Sequence, residues 1–368
     1  MEVKYLDLQA QFRDNRELRG LVDGIFSSCQ FVLGPALDEF EANFARLCGV
    51  NHAIGVDNGT NAIFLALHVL GVGLGDEVIT APNSFLATVG AIAQTGAFPR
   101  MVDVGNDYNI DPEQIERAIN SKTKAILPVH LTGNPARMDD ISAIAKKHGL
   151  AIVEDACQSV DAAIGTRKTG SLGDLGAFSL HPLKNLNTCG DGGIITTNSA
   201  DHYGRLLLLR NHGLKNRNEA KLFAWNFRLD TIKAAVANAQ IAGIGGVTDA
   251  RNRNAEIYDA RLTALPHVII PERRPGVRQA FHTYVIQVQR RDALAEFLLQ
   301  RGVETKIHYP IPIHLMEAAG VYGYARGDFP NAERQAEHII SLPIHQNLRE
   351  EQIQYVADTI FDFYGMKR

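Results

Sequence analysis

Lys184 sits in the stretch Phe178–Asn198, FSLHPLKNLNTCGDGGIITTN, between a short apolar run and a glycine cluster. A flexible cation at a strand end has three uses there: a point charge for phosphate, an amine nucleophile, or a solvated loop lysine. Twenty-nine residues upstream, IVEDACQ (152–158) delivers Glu154 and Asp155 at the end of an apolar run. Asp155 there could hold a cationic ring nitrogen and Gln158 could hydrogen-bond a ligand; taken alone, the acids read as caps for the next helix. A third stretch, Asp57-Asn-Gly-Thr60-Asn61, joins a strand to a helix. Its free N–H groups and helix dipole suit a phosphate, whereas the tripeptide by itself reads as an N-cap.

The three stretches gain meaning together. An amine becomes nucleophilic when desolvation or a neighbouring cation lowers its pKa. A lysine in Schiff-base linkage to pyridoxal phosphate also needs an acid opposite the pyridinium nitrogen, which is the electron sink. Asp155 and Lys184 supply that pair, and Thr60 with Ser179 could supply a phosphate cup. Other pairings are weaker. His308 and His314 lie six apart in a proline-containing segment, so no metal site is expected. GVGLG (71–75) lacks dinucleotide spacing, and neither GxSxG nor a P-loop occurs. His181, three residues before Lys184, fits a proton relay or a packed histidine equally.

The elements that must position these groups alternate. PALDEFEANFARLCG predicts a helix ending at Gly49, HAIGV a strand, NGTNAIFLALHVLG a helix and DEVIT a strand; the alternation continues through LAIVED to residue 155. Short apolar strands between amphipathic helices predict a mostly parallel sheet covered on both faces, with ligands at the carboxyl ends of its strands. Residues 156–200 read as glycine-rich loops and short strands. Helices are expected over 230–244 and 252–264. Beyond Pro271 come a strand (HTYVIQVQ), a helix (DALAEFLLQRG), a strand (ETKIH) and helices near 332–339 and 350–364. The expected division is a large domain, residues 1–250 with an N-terminal helical arm, and a small α+β domain, residues 251–368.

The chain's 368 residues suffice for a large core. A net charge of −4 gives no electrostatic reason to expect nucleic acid or an anionic membrane as partner. The four cysteines have no CxxC spacing, which suits reduced thiols. No segment approaches the roughly 20 apolar residues of a membrane span, and MEVKYLDLQAQF lacks the basic start and apolar core of a leader. A cytoplasmic protein is expected.

With those residues in view, the chain resembles the DegT/DnrJ/EryC1/StrS family of sugar aminotransferases over nearly its whole length. IGVDNGTNAIFLAL is similar to the family's phosphate segment, VEDACQ to its aspartate–glutamine strand, and GSLGDLGAFSLHPLKNLNTCGDGGIITTN to its lysine segment. RNHGL, WNFRLD, ETKIHYPIPIH and GDFPNAERQAEHIISLPIH follow in order. The resemblance implies an α/β fold of the aspartate-aminotransferase type (fold type I), with a mostly parallel seven-stranded sheet, and pyridoxal 5'-phosphate as cofactor. It implies that Lys184 bonds the cofactor and shuttles a proton, Asp155 pairs with the ring nitrogen and Gln158 meets the ring hydroxyl. Phe85 would stack on the ring, and Thr60, Asn61 and Ser179 would hold the phosphate. Asn226 would reach it from the neighbouring subunit of a homodimer with shared active sites. His308 and Tyr309, with His181, would contact the sugar.

The implied reaction moves nitrogen from glutamate or glutamine to a keto group of a nucleotide-linked deoxy sugar, and IHYPIPIH is more similar to members acting at C3 than at C4. The product would serve polysaccharide or natural-product amino-sugar biosynthesis. The rival readings are a cyclitol (inosose) aminotransferase, a cofactor-binding regulator, and a sugar dehydratase, whose family members carry histidine in place of the lysine. Departures from the family pattern are Val160-Asp161 where histidine-glycine is usual, Pro82 displaced by one position, Trp225 where tyrosine is usual, and His181 where aromatic residues are common.

Overall fold

A computed structural model describes residues 1–366. Its main sheet has seven strands: β1 (His52–Val56), β2 (Glu77–Thr80), β3 (Phe98–Met101), β4 (Thr123–Ile126), β5 (Ala151–Asp155), β6 (Leu175–Ser179) and β7 (Gly193–Thr197). Their spatial order is β1-β7-β6-β5-β4-β2-β3. Six strands run parallel; β7 alone is antiparallel, slotted between β1 and β6. Strands buried on both faces take mainly apolar or small residues, which is why GIITT reads as a continuous run and not as alternation; the buried Glu77 that opens EVIT is paired with Arg100. The carboxyl ends of β1, β5 and β6 and the start of β7 therefore share one edge.

The helix Gly59–Val69 follows β1 and begins at that edge. Its GTNAIFLALHV sequence is apolar nearly all round, and eight of its eleven residues are buried, as a helix between the sheet and other helices must be. Helix Pro35–Cys48 packs from another side, with Pro35 in its first turn and Gly49 closing it in the left-handed region (φ 71°).

A second, three-stranded antiparallel sheet combines β8 (Val268–Ile269), β9 (Tyr284–Val288) and β10 (Ile339–Leu342). One apolar cluster joins it to helices Ile244–Leu262, Arg291–Gln300 and Glu350–Tyr364. Val3 is buried in the same cluster, held by exchange of backbone hydrogen bonds with Gly302 and Glu304 (2.8 and 2.9 Å).

Three elements differ from the sequence expectation. The helix expected over 230–244 is shorter, Thr231–Ile241, and the one expected from 252 starts eight residues earlier, at Ile244. Gly245 and Gly246 each weaken a helix by about 1 kcal/mol. The burial of Ile244, Thr248, Arg251, Ala255, Tyr258 and Leu262 at helical spacing offsets that cost. ETKIH is not a strand: only Lys306 pairs, exchanging two backbone hydrogen bonds with Ser341.

Candidate active site

Asp155 ends β5 and is 4 % exposed. Thr88 Oγ1 donates to its Oδ2 (2.7 Å) and the Cys157 N–H donates to its Oδ1 (3.2 Å). Adjacent residues of a strand face opposite sides, so Glu154 points away. It accepts from the N–H groups of Gly170, Leu172 and Gly173 and from His130 Nε2. Because His130 Nδ1 accepts from the Ala136 N–H, its proton lies on Nε2. Glu154 thus ties down the loop before β6, and Asp155 alone faces the site.

The edge beside Asp155 opens into a cavity of about 320 Å³. At one end lies the start of helix Gly59–Val69. The Asn58 side chain caps it, accepting from the Asn61 N–H (2.8 Å). A Cβ on Gly59 would lie 2.8 Å from Ser179 Cβ and 3.1 Å from Cys157 Sγ; one on Gly193 would lie 2.4 Å from the Asn58 carbonyl oxygen. The helix start is therefore pressed against the ends of β6 and β7, with the Thr60 and Ser179 side chains lining the same space.

Lys184 rides on the connection from β6 to β7. The Leu180 N–H donates to Gly192 O and the Thr188 N–H to Leu180 O, while the Lys184 N–H turns back to His181 O (2.8 Å). Asn187 Nδ2 donates to both Pro182 O (2.9 Å) and Lys184 O (3.0 Å), and Gln240 Nε2 donates to Asn187 O (2.8 Å). Asn185 Nδ2 reaches Ala280 O (2.8 Å). The loop's backbone is clamped on several sides, which limits the space its one lysine can sample. Burial pushes the Lys184 ammonium below its usual pKa, against the opposing pull of Cys157 and Asp155. A depressed amine pKa is what a nucleophilic lysine requires.

The wall is formed by Gln158, Tyr309 and Phe85. Gln158 Oε1 accepts from the Thr132 N–H (2.8 Å), and its Nε2 donates to Tyr309 Oη (3.2 Å). Tyr309 lies 5.7 Å from Phe85, ring to ring, and burial raises its hydroxyl pKa. Phe85 stays half-exposed (51 %) on the cavity wall. His308 shares Ser341 Oγ at 2.9 Å, stacks on Tyr5, and is driven down to about 4 by burial, with Lys184 adding to the effect. His181 Nδ1 accepts from the Leu183 N–H (3.2 Å).

Nine residues singled out from sequence line this one cavity: Thr60, Phe85, Asp155, Gln158, Ser179, His181, Lys184, His308 and Tyr309. Two do not. Asn61 turns its side chain to the Asp57 carboxylate (2.9 and 3.0 Å). Asn226 is exposed and bridges Asn211.

Of the family departures, His181 lines the cavity, whereas Pro82, Val160-Asp161 and Trp225 do not. Asp161 pairs with Lys168 and Arg278, and Trp225 packs edge-on against Phe64. Thr88, Cys157, Asp191 and His282 line the cavity without having been singled out. The link from Thr88 to Asp155 spans 67 residues, and no local pattern signals it.

The donor set suits a flat, anionic, nitrogen-containing cofactor. The buried Asp155 carboxylate has two neutral donors and room beside it for a cation. A helix N-terminus with two hydroxyls suits a phosphate, and a lysine with a depressed pKa stands on the same cavity.

Comparison with known proteins agrees with this chemistry. The model of the DegT/DnrJ/EryC1/StrS aminotransferase family matches residues 13–361. The pleiotropic regulatory protein of Geobacillus stearothermophilus is 39% identical over 99% of both chains. The dTDP-3-amino-3,4,6-trideoxy-alpha-D-glucose transaminase of Streptomyces venezuelae is 38% identical, covering 97% of this chain and 95% of that one. The crystal structure of DesV from S. venezuelae superposes with a TM-score of 0.97 at 37% identity, covering 100% of both chains.

Proposed function

The chain belongs to the DegT/DnrJ/EryC1/StrS aminotransferase family, and from that premise we propose that it transfers nitrogen from glutamate or glutamine to C3 of a nucleotide-linked keto sugar. Pyridoxal phosphate is the proposed cofactor. The carrying observation is that Lys184 and Asp155 line one cavity beside a helix N-terminus. The 3-amino sugar in the name of the Streptomyces relative supports the position on the sugar.

When bound, the cofactor supplies an electron sink that stabilises negative charge at the carbon losing a proton. Asp155 holds the proton on the ring nitrogen, with Thr88 and the Cys157 N–H fixing the orientation of its carboxylate. Lys184 Nζ takes the proton from the substrate carbon and returns it. Gln158, set between the Thr132 N–H and Tyr309, meets the ring hydroxyl. Phe85, on the cavity wall, would pack against the ring. Thr60 and Ser179 bind the phosphate with the free N–H groups of the helix start. His308 and Tyr309 orient the sugar, with His181 beside Lys184.

We further propose a homodimer in which Asn226 serves the partner's cavity. Its exposure, its absence from its own cavity and the exposed rings of Phe26 and Phe31 support that arrangement. The large and small domains would divide within the helix Ile244–Leu262. Four free cysteines suit a reducing compartment, in line with a cytoplasmic enzyme.

Purified protein with pyridoxal phosphate and glutamate, offered nucleotide keto sugars and inososes in parallel, should release 2-oxoglutarate with a 3-keto nucleotide sugar. Turnover of inososes alone would select the cyclitol reading. Replacing Lys184 with alanine should remove both the absorbance of the attached cofactor and turnover, and retained turnover would exclude the role given to Lys184.

A further inference from the structure

The amides that clamp the lysine loop end on the N-terminal arm. Val3 pairs with Gly302 and Glu304 beside the second sheet, and the Tyr5 ring stacks on His308. The chain then makes a short helical turn, Leu8–Gln11, capped by Asp7, whose carboxylate accepts from the Ala10 N–H (3.0 Å). That turn presents Gln11 to Asn187 and Gln240, which lie 176 and 229 positions away. Gln11 Nε2 donates to Asn187 Oδ1 (3.3 Å) and to Gln240 Oε1 (2.9 Å).

The orientation of the three amides follows from their surroundings. A backbone carbonyl only accepts, so Asn187 must turn its nitrogen to Pro182 O and Lys184 O. Gln240 must likewise turn its nitrogen to Asn187 O and Val236 O. Both side-chain oxygens then face Gln11, and only its NH₂ end satisfies them. Asn187 is fully buried (0 % exposed), and among the described residues its Oδ1 accepts from Gln11 alone. Without that donor the oxygen is stranded in the interior, and swinging the amide to relieve it releases Lys184 O. We infer that Gln11 is a positioning residue for Lys184, acting through Asn187. This role rests on the aminotransferase function given above and adds what holds the amine's loop in place. Gln11 does not line the cavity. A shift of the reacting nitrogen by about 1 Å nevertheless costs on the order of a hundredfold in rate, so an amide outside the cavity reaches the proton transfer.

Glutamate and lysine at position 11 separate this role from packing. Gln11→Glu is nearly isosteric but sets a carboxylate, which only accepts, against two oxygens; Gln11→Lys is longer but keeps a donor. Packing alone predicts that glutamate is tolerated better, and the amide chain predicts the reverse. In Gln11→Glu the maximal rate of each half-reaction, followed by the cofactor's absorbance, should fall roughly 10- to 100-fold. The KM of glutamate and of the keto sugar should not change. Gln11→Leu, which removes the donor without adding charge, should fall between, and Gln11→Lys should recover most of the rate. In the full-length, cofactor-free protein, hydrogen exchange over residues 180–188 should quicken about tenfold or more in Gln11→Glu and Gln11→Leu, while β1 and β5 keep wild-type protection. Lysine as damaging as glutamate, a Gln11→Glu rate within twofold of wild type, or exchange that rises equally across the sheet would overturn this role. So would a raised KM at an unchanged maximal rate. If Gln11→Glu does not fold, the order of Gln11→Leu and Gln11→Lys decides. If no keto sugar is turned over, the donor half-reaction and the loop's exchange still test Gln11, so its failure and that of the sugar assignment are separable.

Discussion

Replacing Asp155 with asparagine should spare stability and disable catalysis. In the cofactor-free chain the carboxylate is 4 % exposed and its hydrogen bonds come from Thr88 and the Cys157 N–H, both neutral. An amide can keep both contacts: its oxygen accepts from the Cys157 N–H, and its NH₂ donates to the Thr88 hydroxyl, which can reverse its role. The variant removes a charge from a nearly buried position together with its attraction to the Lys184 ammonium, two effects of opposite sign. Cofactor-free Asp155→Asn should therefore unfold in urea near the same denaturant concentration as wild type. With cofactor, the amide leaves a ring-nitrogen cation buried without its partner, a loss of about 3–5 kcal/mol. If that loss appears in the transition state, kcat falls by roughly two to four orders of magnitude. Urea titration of the cofactor-free protein and single-turnover kinetics of the loaded one measure the two halves. A cofactor-free variant destabilised by more than about 2 kcal/mol, or a kcat within tenfold of wild type, would refute the reasoning; the threshold is the usual cost of a lost buried hydrogen bond.

Other consequences are more local. Arg210 and Glu41 form a buried ion pair that also holds both backbone groups of Gly55. Arg210→Met should cost about 3–5 kcal/mol in urea unfolding by stranding Glu41, whereas the double variant with Glu41→Leu should recover much of it. Gly193→Ala should lower cofactor affinity measured by absorbance titration, and stability by about 1–3 kcal/mol, because its Cβ would sit 2.4 Å from Asn58 O. Burial holds the His345 pKa at about 4, below its ordinary value of 6.5. The unfolded chain then binds the extra proton first as pH falls, so stability should drop between about pH 6.5 and 4, by on the order of 3 kcal/mol for this group. His345→Leu should flatten that limb of the stability–pH curve.

The sequence carried the first half of the fold clearly. Strands such as HAIGV and EVIT are short with apolar centres, and the helices between them end at glycines that take the left-handed region, as at Gly49 and Gly149. It was less clear where long-range packing overrides local preference, as in the helix that begins beside Gly245 and Gly246. The pairing of Lys184 with Asp155 was legible because each lies at the end of an apolar run. Gln11 was not, since the residues it joins lie 176 and 229 positions away. The contact of Asn61 was not legible either: its type suits a phosphate, and in the structure its amide donates to Asp57, four residues back.

The strand that runs against its neighbours has a consequence for how such a chain can diversify. Because β7 returns beside β6, the segment bearing Lys184 is tethered at both ends to the centre of the sheet and cannot lengthen without disturbing it. Gln158's partner Tyr309 and the adjacent His308 belong instead to a stretch held to the second sheet by the Lys306–Ser341 pairing, the His308–Ser341 contact and the packing of Ile307 and Tyr309 with Val285 and Ile339. Insertions and exchanges there leave the amine's scaffold untouched. A library aimed at accepting new sugars should therefore vary residues 307–314 and leave 178–193 fixed, separating what the enzyme acts on from how it acts.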